Sequence, residues 1–371
     1  MIIKQITDCI EEIAPLSYAE TFDNVGLLVG NYNTKVTKVL VTLDTLEKTV
    51  DEAIAKGCSL IVSFHPIIFN GLKKLNGNNY VEKVVLKAIK NDIAIYATHT
   101  ALDNSKEGVS AKIAAVLGLT NTKILIPKKG ILQQLTTYVP KKEATRLKQA
   151  LFTANAGSIG NYDQCSFTVD GIGTFRANED ANPTLGKRNQ LHTEEETKIS
   201  VIFESKDQSS IIKKLQEHHP YEEIAYEITA TQNEHPYIGM GIIGEFSEAM
   251  QEHNFLSYLK NTMQTACVRH SKLLNKKIKK VAVLGGSGSF AIEIAKKAGA
   301  DAYISADFKY HDFFKAEQKI LLADIGHYES EQFTKKLLID YLTKKISNFA
   351  PAFEVGNIIL SKESTNPIYY V

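Results

Sequence analysis

Apolar and polar positions alternate along the first third of the chain in short blocks. Val39 to Leu43, Leu60 to Phe64 and Ile93 to Ala97 are compact apolar runs bounded by polar or turn residues, the pattern of buried strands. Between them, Glu47 to Lys56 and Tyr80 to Asn91 carry apolar residues at helical spacing, and Gly108 to Leu117 does the same after the third run. Strand and helix in alternation predict a layered α/β domain. The rhythm changes near Ile126 to Gly130. From there Gln134 to Val139 reads as a strand and Lys142 to Ala154 as a helix, followed by a polar, glycine-rich stretch from Ser158 to Gln190. Thr197 to Phe203 then reads as a strand, Ser209 to His218 as a helix and Ala225 to Thr231 as a strand, a ferredoxin-like order. After Pro236 the α/β pattern resumes, with strands at Lys280 to Leu284, Tyr303 to Ser305 and Ile320 to Ile325. The expected fold is thus a layered α/β domain with a mixed sheet, residues 1–127 and 236–371, interrupted by an α+β insert at 128–235.

A chain of 371 residues exceeds what one core usually supports, in agreement with two domains. Lys plus Arg total 43 against 42 for Asp plus Glu, so no global charge favours nucleic acid or an anionic membrane. The basic run Lys272 to Lys280 carries no aromatic residue on which a base could stack, which also argues against a nucleic-acid surface. Cys9, Cys58, Cys165 and Cys267 stand far apart with no C-x-x-C pair, so a reduced, cytoplasmic protein is expected. The opening residues are amphipathic rather than signal-like, and no apolar run reaches the roughly 20 residues that span a bilayer.

The chemistry concentrates where the strands end. His65 follows the Leu60 to Phe64 run and precedes Pro66; His99 and Asp103 lie four apart beyond the Ile93 to Ala97 run; His327 and Glu331 lie four apart after Gly326, at the start of an expected amphipathic helix. A spacing of four puts two side chains on one helical face. In open α/β sheets, ligands sit beyond the carboxyl ends of strands. Imidazoles and carboxylates gathered there suit zinc, iron or manganese better than a thiolate or calcium site. His65, Asp103, His327 and Glu331 are therefore the candidate ligands for a divalent metal. His99 and His311 are candidate orienting groups or general acid and base. Asp307, Lys309 and His311 follow the Tyr303 to Ser305 strand and are expected to face the same cleft.

Two other patterns compete. Gly286, Gly288 and Ala291 fit a loose G-x-G-x-x-A fingerprint between strand and helix, with Asp307 about 20 residues on, which leaves phosphate contact at that helix N-terminus open. His218-His219-Pro220, in the insert, reads as a helix C-terminus rather than a metal site.

Taken in order, Glu20 to Gly30, Val41 to Ala53, Phe64 to Lys73, His99 to Asn104, Val281 to Ser289, Ala306 to Asp312 and Asp324 to Glu331 resemble the motifs of the GTP cyclohydrolase 1 type 2 homologue family, the Nif-three-like dinuclear metal proteins, in the long form with an inserted domain. The resemblance implies that His65, Asp103, His327 and Glu331 are metal ligands for one or two divalent ions per protomer, with Glu331 at the position that bridges two ions. It implies an insert similar to PII and CutA folds, and a homohexamer built from trimers around an inner cavity that admits small-molecule substrates. The implied function is a metal-dependent hydrolase acting on a nucleotide or other small molecule. A non-catalytic metal-handling or small-molecule-sensing protein is the alternative. One departure stands out: the family has two adjacent histidines before the proline, and here the first is Phe64. Either one ion loses a protein ligand, or Phe64 belongs to the core and a neighbour substitutes.

Overall fold

In the computed structural model, which describes residues 1–349, 353 and 355–371, the chain divides into two compact units. One comprises Met1–Pro127 with Tyr237–Val371, the other Lys128–Pro236.

The first unit is built on two sheets. One has the strand order Gly26–Val29, Ala94–Ala97, Leu60–Ser63, Val39–Thr42, Ile358–Leu360, parallel except for the first pair. The other has the order Arg269–His270, Leu321–Asp324, Ala302–Ala306, Lys277–Ser287, Gly239–Gln251, Thr120–Pro127, with parallel pairing only around Ala302–Ala306. Every residue of the Val39–Thr42, Leu60–Ser63, Ala94–Ala97 and Leu321–Asp324 strands is buried, which is why they read as unbroken apolar runs. Inner faces of both sheets share one core with the Ile3–Ile13, Val109–Val116, Glu252–Thr262 and Thr334–Phe349 helices. The outer face of the first sheet packs on Glu47–Lys56 and Tyr80–Lys90, and that of the second on Ile292–Lys297. The mixed layered α/β fold is thus the one expected.

The second unit is a four-stranded antiparallel sheet in the order Phe167–Arg176, Leu191–Glu204, Leu132–Pro140, Tyr226–Ala230, with helices Ala144–Phe152 and Gln208–His218 on one face. In chain order this is strand, helix, strand, strand, helix, strand, a ferredoxin-like arrangement. The glycine-rich stretch hides the Phe167–Arg176 strand, paired over ten residues. Its period was masked because Phe167, Val169 and Ile172 are exposed on a strand that buries almost nothing.

One local expectation is corrected. His327 and Glu331 do not open a long helix; they span the five-residue helix His327–Glu331, and Thr334–Phe349 is separate. Ser330 ties the short helix to the Lys277–Ser287 strand: its hydroxyl donates to the His327 carbonyl and accepts from Gly286 N–H. The glycine fingerprint leads into a short helix. The strand continues through Gly286 to Ser287, a 3-10 turn Ser289–Ala291 follows, and the helix Ile292–Lys297 has six residues.

Candidate metal centre

Strand ends of both sheets supply the site. In the first sheet the chain leaves Leu60–Ser63 through Phe64 and His65, whose N–H groups both donate to the Leu43 carbonyl, while His99 N–H donates to the Phe64 carbonyl. These bonds hold the Asp44, His65 and His99 turns side by side. In the second sheet Asp324 accepts from Phe308 N–H and Gly326 N–H, tying together the turns that carry Asp307 and His327.

His65 Nε2, His327 Nε2 and Glu331 Oε2 converge. The imidazole nitrogens are 3.4 Å apart, and the carboxylate oxygen is 3.1 Å from His65 and 3.2 Å from His327. Ligands at 2.0–2.1 Å around a tetrahedral ion stand about 3.3 Å apart. The triangle therefore has the edges such an ion requires. Glu331 is 3% exposed, yet its Oε2 has no hydrogen-bond partner; its contacts to the histidines are ion-pair distances without hydrogen-bond geometry. An orphaned buried carboxylate oxygen facing two ring nitrogens fits a divalent cation.

Each histidine is oriented by a carboxylate. His65 Nδ1 lies 2.8 Å from Asp44 Oδ1, His327 Nδ1 2.6 Å from Asp307 Oδ2, and His99 Nδ1 2.8 Å from Asp23 Oδ1. With Nδ1–H donating to a carboxylate, the Nε2 lone pair turns toward the cluster, the arrangement that fixes tautomer and basicity in metal sites. Asp307 and His99 reach these positions in left-handed backbone, φ 58° and 26°, which is unusual outside glycine and common where function imposes geometry.

Without a cation the groups charge one another. Burial by itself would lower the His65 pKa, but Asp44 and Glu331 outweigh it and hold it up to about 10; Asp307 and Glu331 hold His327 up to about 11 against the same penalty. Burial would raise Glu331, and the two imidazolium rings hold it down to about 2. Asp103 has burial and the Glu331 charge against its ionised form, so its carboxyl is pushed well above the usual range.

The glycines of the fingerprint serve this packing. A Cβ on Gly286, whose φ is 66°, would stand 2.4 Å from Glu331 Oε1, and one on Gly288 would stand 2.1 Å from Ser305 Oγ. They admit Glu331 and the neighbouring strand.

His65, His327 and Glu331 are thus brought together. Asp103 senses their charges but is outside that triangle. The His99 ring is 5.4 Å from the His65 ring, centroid to centroid. His311 is exposed, packs edge-on against Tyr310 and beside Phe314, and does not join the cluster. Phe64 is fully buried in the shared core, its ring 4.8 Å from His65 and 5.7 Å from His99. In the insert, His219 places Nε2 2.9 Å from the Tyr138 carbonyl and accepts from Tyr221 N–H, an internally satisfied histidine. Asp44 and Asp23 were missed from the sequence. Their one signal is an acid in a turn near a strand, which a surface loop shares.

Fold and site together define a layered α/β protein with a histidine–carboxylate cluster suited to a divalent metal. The chain belongs to the Duf34/NIF3 (NGG1p interacting factor 3) family, whose model matches residues 1–367. A GTP cyclohydrolase 1 type 2 homolog of Bacillus subtilis (strain 168) is 34% identical over 371 residues, covering 99% of this chain and 98% of the relative. One from Halalkalibacterium halodurans is 35% identical over 363 residues, covering 97% and 96%. The crystal structure of a Bacillus cereus protein related to NIF3 superposes with a TM-score of 0.81 at 35% identity, covering 100% of this chain and 99% of that one.

Proposed function

We propose that the protein is a divalent-metal-dependent hydrolase acting on a nucleotide or other small molecule. The observation that carries the proposal is the triangle of His65 Nε2, His327 Nε2 and Glu331 Oε2, which presents three donors with ion-sized spacing. These three residues would hold the ion, with Asp103 as a further carboxylate. Zinc, iron or manganese bound there supplies Lewis-acid chemistry, polarising a carbonyl or phosphoryl oxygen and acidifying water. Asp44 and Asp307 keep the ligand imidazoles aimed at the ion. Phe64 excludes water from the core side of His65. His99, its Nδ1 paired with Asp23 and its ring beside His65, would be the candidate general acid or base at the cluster. The names of the curated relatives suggest a guanine nucleotide as the first substrate to try, and fold alone does not select it.

A metal-handling protein without turnover is the second reading, favoured by Phe64, which removes one imidazole from the His65 turn. Metal content per protomer, measured in wild type and in Phe64→His, separates the two together with the hydration of bound manganese. One ion with exchangeable water, and hydrolysis of a nucleotide panel that stops on chelation, supports the hydrolase. A bound ion with no exchangeable water overturns it. Close to two ions in wild type would show that Phe64 is compensated; a second ion appearing only in Phe64→His would show a lost site. The assembly implied by the family likeness, a homohexamer of trimers, predicts a hexameric sedimentation coefficient, and a monomer at micromolar concentration excludes it.

A further inference from the structure

Segment 361–371 runs from the first sheet to the helix that carries two members of the cluster, and two of its side chains bond to residues next to the ligands, Asp44 and Glu329. It leaves the Ile358–Leu360 strand, which pairs with Val39–Thr42, by a bond from Ser361 N–H to the Val41 carbonyl, 2.8 Å. Glu52 then accepts from the Ser361 hydroxyl and from Lys362 N–H, and Lys48 Nζ donates to the Ser364 carbonyl. The next two residues reach opposite sides of the cluster. Thr365, 5% exposed, donates its hydroxyl to Asp44 Oδ2 at 2.5 Å, and the other oxygen of the same carboxylate accepts from His65 Nδ1 at 2.8 Å. Asn366 Nδ2 donates to Glu329 Oε1 at 3.0 Å, and Glu329 belongs to the five-residue helix that holds His327 and Glu331. Further on, the Tyr370 hydroxyl lies 2.9 Å from where a Cβ on Gly326, the N-cap of that helix, would stand.

His65 and the His327–Glu331 pair come from different sheets, so no strand ladder sets the distance between them. A helix of five residues closes few internal hydrogen bonds and relies on outside contacts for its position. A segment bonded to Asp44 on one side and to Glu329 on the other supplies that missing constraint. We propose that Thr365 and Asn366 form a clamp that positions the metal ligands, Thr365 through Asp44 and Asn366 through Glu329, and so sets the affinity and geometry of the site without touching the ion. The inference rests on the divalent-metal reading of the cluster. Thr365 and Asn366 are positioning residues.

The test uses the full-length protein, stripped of metal and titrated with zinc against a competing chelator, and with cobalt followed by its visible absorption. Thr365→Val keeps the shape and removes the donor; it should weaken zinc binding by up to about 10-fold, less than the loss expected when a ligand's direct partner is removed, and shift the cobalt bands. Thr365→Ser, which restores the hydroxyl, should return both to wild type. Combined with Asp44→Asn, Thr365→Val should add no further loss, because the two act in one chain. Full additivity, or a Thr365→Val protein with wild-type affinity and cobalt spectrum, would overturn the clamp. If Thr365→Val fails to fold, Asn366→Ala carries the test: weakened zinc binding with a shifted cobalt spectrum supports the proposal, and wild-type values refute it. Wild-type protein that binds neither ion would instead refute the metal reading itself.

Discussion

Two histidine–proline turns in this chain look alike and end differently. Phe64-His65-Pro66 follows a buried strand of the first unit, and His218-His219-Pro220 ends a helix of the insert. His65 has a carboxylate at each ring nitrogen, Asp44 at Nδ1 and Glu331 at Nε2, and a second imidazole beside it. His219 has a backbone partner at each nitrogen, and burial, only partly offset by the Tyr138 carbonyl and the Glu196 charge, lowers its pKa. The same side chain is therefore a charged, ligand-ready group in one place and a neutral structural bridge in the other. A histidine's role follows from what its second nitrogen meets.

The largest test of this contrast is pH. His65 and His327 hold their protons up to about 10 and 11, so an ion that binds near neutrality must displace both. Apparent affinity should then rise with pH by about 100-fold per unit between pH 6 and 8, measured by chelator competition. A flat profile would mean that the rings are already neutral. The sign for the metal-free fold is also determined: the two raised histidines contribute stability below about pH 6.5, lost as pH rises through 10–11, and Glu331 contributes above about pH 4.5, lost as pH falls through 2. Metal-free protein should melt highest between those limits.

Replacing the shared carboxylate comes next. Glu331→Gln should reduce zinc affinity by about 1,000-fold, since it removes the only anionic corner of the triangle and leaves a buried amide between two rings. Gly286→Ala should move the same carboxylate, because a Cβ cannot stand 2.4 Å from Oε1 and φ is 66°; a loss of zinc affinity together with a lower melting temperature is expected. Asp307→Asn removes charge from the partner of His327 and should cost about 10- to 100-fold in affinity, with the bound ion still present at saturating zinc. Smallest of all, His219→Ala should leave metal content unchanged while destabilising the insert by about 1–2 kcal/mol through its two lost bonds. Metal loss in His219→Ala would erase the distinction between the two turns.

Much of the architecture was legible from period alone. The Val39–Thr42, Leu60–Ser63 and Ala94–Ala97 strands are buried on both faces and show as unbroken apolar runs. The Phe167–Arg176 strand was not legible, because a sheet edge with exposed apolar residues and two internal glycines has no inside-outside period to read. Nor was the break after Glu331 legible, since the apolar period does not record where one helix ends and Thr334–Phe349 begins.

At the site, sequence alone was enough to nominate His65, His327 and Glu331, since each follows a strand and the last two share the i, i+4 spacing of one helical face. Which residues aim them was decided only by tertiary structure. Asp44 reaches His65 across 21 residues, Asp307 reaches His327 across 20, and Thr365 reaches Asp44 across 321. Local pattern records which side chains share an element. The distance between His65 and His327, 262 residues apart in the chain, depends on how two sheets and a crossing segment pack, and no period in the sequence encodes it.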